Sequence, residues 1–295
     1  MKVIQLPDVA PRPRRIAVGT FDGVHLGHRE VIAGSDTVLT FDPHPRSVVL
    51  PDNAPRLLTT VDRKAELIEA LGVEELVVVP FDRGWAHQSP QSFIDEVLVG
   101  LLGATHISVG EDFRFGHKAS GDTQLLAADG RFEVRVAPML EVDGEIVSSS
   151  HIRGLIAGGA VEYADRLLGA PFQVRGQVVD GDKRGRTLGF PTANIVPPDG
   201  FVIPGHGVYA CVAHVGDEAV AAATNIGVRP MFETGRGELI ETHLIDWSGD
   251  LYGQELRIDF LKRLRGERRF PSVDDLVEQM GRDVVDAVAT VSGRK

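Results

Sequence analysis

Two histidines, His25 and His28, stand three residues apart in the stretch GTFDGVHLGHRE (residues 19–30), with Gly27 between them and the apolar run RIAVG leading in. Near a helix start, positions i and i+3 share one face, and Gly19 and Gly23 let the backbone come close to a ligand. The N–H groups at a helix N-terminus favour phosphate, and imidazoles placed there can donate hydrogen bonds to charge developing on it. By spacing alone, two surface histidines in a turn explain the pattern equally well. A second stretch of the same kind, SSSHIR (148–153), offers Ser149 and Ser150 at a helix start and the forked donors of Arg153. It reads as a phosphate site or as plain helix capping, and a cap can be half of a phosphate nest. His44, between two prolines, and Asp112, after a strand, read either as ligand contacts or as parts of a rigid turn and a strand end.

The other half of the chain carries GDKRGRTLGFPTANI (181–195), rich in glycine and cations. No G-x-x-x-x-G-K-[ST] loop occurs in the sequence. Gly181, Lys183, Gly185 and Arg186 can still cradle phosphates through backbone donors. Thr192 and Asn194 present two oxygens on alternate residues, hence on one face of an extended segment. A hydroxyl and an amide oxygen are hard ligands suited to Mg²⁺, with ATP phosphates and water completing the shell. A surface turn with capping residues is the plain alternative. Glu241 lies in a strand-like run, ETHLIDW, on the face of Leu239 and Ile245. A carboxylate on a partly apolar face is poorly solvated and ready to take a proton; a solvated cross-strand carboxylate is the other reading.

The elements that must hold these residues change character along the chain. Residues 14–20, 36–41, 74–81, 105–110 and 132–138 read as strands, and 61–72 and 89–103 as helices, the second opened by Ser89 and Pro90. This βαβ rhythm predicts a mostly parallel sheet flanked by helices, with ligands at the carboxyl ends of its strands, where the His25, Asp112 and Ser149 stretches fall. A helical pair follows. From about Gln173 short alternating segments with glycine-rich turns predict an antiparallel barrel or sandwich, closed by an amphipathic terminal helix. The expected division falls near Ala170–Pro171, giving an α/β domain over 1–170 and a β-barrel domain over 171–295.

Composition narrows the classes. With 295 residues, 43% hydrophobic and 25% charged, the chain can bury a real core, and its net charge of −11 argues against a nucleic-acid binder. No apolar stretch approaches the roughly 20 residues that span a bilayer, and the first residues lack the apolar centre of a signal peptide. Cys211 is the single cysteine, so no internal disulfide forms and a cytoplasmic setting is expected. Oligomeric state is not legible.

Taken at full length, GTFDGVHLGH resembles the nucleotidyltransferase signature with its His-x-Gly-His core, and TFDPHP (40–45), VGEDFRFG (109–116) and VSSSHIR (147–153) follow in order. GRTLGFPTAN, PGHGVYA, TNIGVRP, ETHLIDW and DLYGQELRIDFLKRLRGERRF continue the series. The whole, from about Ile16 to Val284, resembles bifunctional riboflavin kinase/FAD synthetase. That resemblance implies a Rossmann-like FMN adenylyltransferase domain followed by an antiparallel flavokinase barrel, with Mg²⁺, ATP as co-substrate, and riboflavin, FMN and FAD as substrates and products. It implies that His25 and His28, with Gly19, Phe21, Asp22 and Gly27, serve the ATP phosphates, and that Ser149, Ser150 and Arg153 hold the triphosphate and departing pyrophosphate. Asp112, Phe113, Asn225 and Arg229 become candidates for flavin contact, Thr192 and Asn194 for Mg²⁺, and Glu241 for the catalytic base.

Position 150 is Ser where the motif has Thr, His151 stands where arginine is frequent, and Met231 where Thr is. Only REVIAGSDTVL separates His28 from Thr40, shorter than the family's usual helix by roughly three turns. That short connection keeps open a kinase-only enzyme with a degenerate first domain. A non-catalytic flavin-binding protein is a further alternative, one for which the Thr192, Asn194 and Glu241 set is not needed.

Overall fold

The structure, a computed structural model, describes residues 1–181, 184–228 and 238–294, and of 184, 186, 228, 238 and 239 the backbone alone. The chain divides into two compact units, Met1–His151 and Ile152–Lys295.

The first unit is built on a six-stranded parallel sheet in the order β1-β4-β3-β2-β5-β6, comprising β1 (Lys2–Gln5), β2 (Arg14–Val18), β3 (Thr37–Asp42), β4 (Glu75–Pro80), β5 (Ala104–Gly110) and β6 (Glu133–Ala137). Its central strands β3 and β4 read as nearly unbroken apolar runs because both faces are covered, whereas the edge strands β1 and β6 are largely exposed. Ile16, Val18, Leu39, Val77, Val79, Ile107 and Val109 pack on one side against Phe93, Ile94, Val97 and Leu98. Ala17, Val38, Leu76 and Val78 pack on the other against Val31, Ile32 and Ile68. The covering helices are α1 (Leu26–Ile32), α2 (Pro45–Val49), α3 (Val61–Glu69), α4 (Arg83–Ala86), α5 (Pro90–Ser92), which continues as a π-helix over Phe93–Leu101, and α6 (Thr123–Ala128). From β2 the chain steps outward through β3 to β4, then crosses back to β5 on the opposite side of β2. The carboxyl end of β2 is therefore the topological switch point, where open α/β sheets bind ligands. The short segment after His28 finishes the seven-residue α1, which ends at Ile32, is capped at Ala33 and turns through Gly34 (φ +77°). Strand β1 escaped the sequence reading; it is too short for a visible pattern and is made by parallel pairing with β4.

A hairpin of β7 (Glu141–Val142) and β8 (Glu145–Ile146) leads to α7 (Ser149–Ala157), which runs across the division between the units. Next, α8 (Val161–Leu168) buries Val161, Ala164, Leu167 and Leu168 and packs on β9 (Phe172–Val179) and β14 (Glu255–Arg265). Phe172 N–H donates to Asp165 Oδ1 at 3.1 Å. The compact second unit thus begins upstream of the expected 170/171 boundary, because this amphipathic helix needs the barrel to cover its apolar face.

The remaining strands are α9 (Arg184–Thr187) aside, β10 (Ala193–Val196), β11 (Gly207–Val215), β12 (Glu218–Val228) and β13 (Glu238–Leu244), closing a barrel in the order β10-β13-β12-β11-β14-β9. Every described pairing in it is antiparallel. Closure selects the barrel over the sandwich and removes exposed strand edges. Val174, Ile195, Tyr209, Cys211, Ala222, Ile226, Ile240, Leu244, Ile258 and Phe260 are buried. Thr224 and Thr242, both fully buried, satisfy each other across the ladder, Oγ1 to Oγ1, at 3.1 Å. The helix α10 (Val273–Ser292), N-capped by Ser272, lays Ala287 on Ala210 and Ile245 outside the barrel.

Candidate active sites

The first site is assembled at the carboxyl end of β2. Gly19 donates its N–H to Leu39 O (3.1 Å), and a Cβ there would lie 2.9 Å from the Phe21 ring, so only glycine lets that ring fold back beneath the chain. Phe21 (φ +46°) and Val24 (φ +43°) adopt left-handed conformations, which the surroundings impose on residues that seldom take them. Phe21 is buried and meets His28 edge-on, with ring centroids 5.3 Å apart. His25 is the N-cap of α1: its Nδ1 accepts the His28 N–H at 3.2 Å. An Nδ1 that accepts leaves the proton of the neutral ring on Nε2. The two imidazoles stack, centroids 3.5 Å apart and planes 16° from parallel, over Gly27, where a Cβ would come within 3.3 Å of the His25 ring. Ser149 Oγ donates to the Asp22 carbonyl at 2.9 Å, which brings the first turn of α7 to this loop. Arg153 follows Ser149 by one helical turn, and Ser150 is exposed in the first turn. Asp112 is exposed just past β5, and Phe113 stacks on Phe115 with centroids 5.5 Å apart at the same end of the sheet.

Two sequence readings change here. Asp22, grouped with the phosphate contacts, is buried and spends its carboxylate on the N–H groups of Leu58 (2.9 Å) and Thr59 (3.1 Å). These bonds hold the chain that enters α3. The capping reading of Ser149 and Ser150 also moves: the α7 cap is Ser148, whose Oγ accepts the His151 N–H at 3.2 Å. His44 caps α2 through Nδ1, which accepts from Arg46 N–H at 3.2 Å.

The second site lies on the outer face of the barrel. In the ladder β10–β13–β12, Asn194 stands opposite Glu241, and Glu241 opposite Asn225. Directly opposed residues share a face with Cβ atoms about 5 Å apart, so the three form one polar row. The face expected for Glu241 was partly apolar; the neighbouring strands instead contribute a carboxamide on each side, and Ile245 lies beyond the end of β13 under α10. Asn194 is 5% exposed, and among the described residues its Oδ1 has no hydrogen-bond partner. A Cβ on Gly181 would fall 2.0 Å from Asn194 Nδ2. Within the glycine-rich stretch, Gly185 O accepts from Phe190 N–H (2.9 Å), and a Cβ on Gly185 would lie 2.3 Å from Phe190 O. The segment carrying Thr192 is tied down by His243, whose Nδ1–H donates to Pro191 O at 2.8 Å while its ring meets Phe190 edge-on. Thr192 immediately precedes β10, two residues before Asn194. Lys183, Arg229 and Met231 lie outside the described residues, as does the side chain of Arg186. The basic run 261–269 is partly committed to structure: Arg265 pairs with Asp283 at 2.8 Å, and Arg268 lies over the Phe270 ring at 4.6 Å.

Two family models match in tandem: FAD synthetase over residues 8–151 and riboflavin kinase over residues 168–291. A bifunctional riboflavin kinase/FMN adenylyltransferase of Bacillus subtilis is 38% identical over 288 residues, covering 92% of this chain and 91% of that protein. The chain belongs to the bifunctional riboflavin kinase/FMN adenylyltransferase family. Proteins of the same name from Listeria monocytogenes and Escherichia coli are 40% and 37% identical, over 93% and 92% of this chain and 91% of each relative. A crystal structure described as a macrolide-efflux protein from Streptococcus pneumoniae aligns with a TM-score of 0.87 at 30% identity, over 96% of this chain and 97% of that one. Among the described residues, no helix of this riboflavin kinase/FMN adenylyltransferase family member is long and apolar enough to cross a membrane.

Sequence reasoning missed several residues that position these family motifs. Ser108, buried on β5, donates to Val31 O at 2.6 Å and ties down the last turn of α1. Lys64, buried on α3, reaches the Thr20 carbonyl. In the second unit, His243 anchors the Thr192 segment. Ser108 and Lys64 lie outside the quoted motifs, and His243 sits inside ETHLIDW without a chemical pattern of its own; each is recognisable only from the atoms it meets.

Proposed function

We propose that the chain makes FMN from riboflavin in its second domain and FAD from FMN in its first, with Glu241 as the kinase base and His25 and His28 as the adenylyl-transfer donors. The observation that carries the reading is the juxtaposition of Asn194, Glu241 and Asn225 in one ladder row, in a chain that also builds the stacked His25–His28 pair.

In the kinase reaction, the ribityl 5′-hydroxyl oxygen of riboflavin bonds to the γ-phosphorus of ATP, the bond from that phosphorus to the bridging oxygen breaks, and ADP leaves. Glu241 takes the hydroxyl proton. Thr192 and Asn194 would hold Mg²⁺; Asn194 Oδ1, buried and without a hydrogen-bond partner among the described residues, is the kind of oxygen such an ion needs. The ion supplies charge neutralisation on the ATP phosphates. The glycine-rich segment containing Gly181, Lys183, Gly185 and Arg186 lies against these phosphates, and Asn225 and Arg229 contact flavin.

In the adenylyl transfer, a phosphate oxygen of FMN bonds to the α-phosphorus of a second ATP, the bond to the β-bridging oxygen breaks, and pyrophosphate leaves. His25 Nε2–H and the His28 imidazole donate to the charged oxygens as this occurs, with Ser149, Ser150 and Arg153 holding the pyrophosphate portion. Asp112 and Phe113 face the flavin. No covalent enzyme intermediate is required; orientation and charge stabilisation carry the step. This function is assigned to 1–170, which keeps α7 whole, and the kinase to 171–295. A cytoplasmic setting completes the reading.

A time course with riboflavin, ATP and Mg²⁺ tests it: FMN first, then FAD with pyrophosphate. FMN alone would establish a kinase-only enzyme, and tight flavin binding without ADP release would leave no enzyme at all.

A further inference from the structure

Lys64 is a charged residue in the core of the first unit, 6% exposed, on the face of α3 turned toward the sheet. Its Nζ donates to Thr20 O at 2.8 Å and to Thr40 Oγ1 at 3.1 Å, and Thr40 Oγ1 itself donates to Thr20 O at 3.0 Å. The three groups form a closed triangle joining β3 to the carbonyl of the second residue beyond β2. Burying an ammonium is costly unless it is hydrogen-bonded and accompanied by opposite charge. Burial pushes Lys64 down from 10.5 to about 8, and the charges of Asp22 and then Asp42 act against that fall. A threonine or a methionine could fill the volume more cheaply if volume were all the fold required.

What the triangle holds is informative. Thr20 O is the carbonyl immediately before Phe21, where the chain enters its left-handed turn. Phe21 in turn packs edge-on against His28. The helix bearing Lys64 is fastened to the same turn a second time, because the Asp22 carboxylate takes the N–H groups of Leu58 and Thr59 just before α3, and Gly23 N–H donates to Thr59 Oγ1 at 3.1 Å. The two fastenings bracket Phe21, one on each side. A turn carrying two strained residues keeps its shape only where its surroundings over-determine it.

We propose that Lys64 is a positioning residue for adenylyl transfer, clamping the Thr20 carbonyl so that the Phe21 turn presents the His25–His28 pair at the height the reacting phosphate requires. Lys64 does not touch substrate; it acts through Thr20, Phe21 and the imidazoles. The proposal rests on the adenylyl-transfer reading above, and wild-type turnover of FMN and ATP to FAD establishes that reading separately.

The test uses the full chain with Lys64→Met, Thr40→Val and the double variant. For each, kcat and KM for ATP are measured in FAD formation from supplied FMN, with riboflavin phosphorylation in the same preparation as a control on the second unit. The imidazole NMR signals of His25 and His28 report the turn without turnover. Lys64→Met is expected to lower kcat for FAD formation on the order of ten- to hundredfold, the cost of misplacing a catalytic group by about 1 Å. KM for ATP should stay within about threefold, and the histidine signals should shift. Because Lys64 and Thr40 act on one carbonyl, the double variant should lose less than the product of the single losses. The proposal is overturned if the variants raise KM for ATP with kcat unchanged, since Lys64 would then bind nucleotide directly. It is equally overturned by unshifted histidine signals or by multiplicative losses. Should Lys64→Met not fold, Thr40→Val alone decides: an unchanged kcat overturns the clamp.

Discussion

Across the β10–β13 ladder Asn194 stands directly opposite Glu241, with Asn225 opposite the same glutamate on its other side. Backbone pairing alone thereby sets the Cβ atoms of the proposed base and the proposed oxygen ligand about 5 Å apart, without reliance on loop conformation. The arrangement puts the groups proposed for proton removal and for the metal on one patch of barrel surface.

Glu241→Gln keeps the shape of that row and removes the proton acceptor. FMN formation should fall on the order of 10²- to 10⁴-fold, while FAD formation from supplied FMN continues. Chromatographic product analysis of both half-reactions decides it; equal loss of both would count against two independent centres.

His28→Ala should do the reverse. Removing one donor to a developing phosphate charge costs about 10²- to 10³-fold in kcat, and the stack with His25 and the edge contact with Phe21 are lost with it. FAD formation is expected to drop by that amount, with riboflavin phosphorylation unaffected.

Gly181→Ala addresses the proposed ion site without touching a ligand. A Cβ at this position would meet Asn194 Nδ2 at 2.0 Å, so the carboxamide must move. The Mg²⁺ concentration for half-maximal kinase rate should rise several-fold. A titration that matches the parent would separate Asn194 from the metal.

Asp165 gives a pH signature of stability. Burial raises its carboxyl to about 6, outweighing the charge of Arg294, whose Nη2 lies 2.8 Å from Oδ2. The folded value exceeds the unfolded one, so the native state holds the extra proton between about pH 4 and 6, and stability is full below that window and lost as pH rises through it. The loss amounts to no more than about 3 kcal/mol. Asp165→Asn, which keeps an acceptor for Phe172 N–H, should flatten this decline in urea-denaturation midpoints measured from pH 4 to 7.

Much of the fold was legible because its segments are periodic. The apolar runs of β3 and β4 announce strands covered on both faces, and the alternation from Phe172 to Phe260 announces a barrel wall. Strand β1 went unseen because its four residues are too few for either period to register. The structural bonds of Asp22 were hidden for a related reason: a conspicuous position within a motif does not show that its carboxylate accepts from the N–H groups of residues 58 and 59.

By itself the sequence determined the element types, the two-domain order and the residue kinds available for phosphate, metal and proton chemistry, since these depend on local periodicity and side-chain identity. Only the tertiary structure decided which groups meet. The pairing of Asn194 with Glu241, the stacking of His25 on His28, and the clamp of Lys64 on Thr20 each join or orient groups through strand register, a helix cap or long-range packing. Those relations arise from the cooperative burial of distant segments, and no window of neighbouring residues contains them.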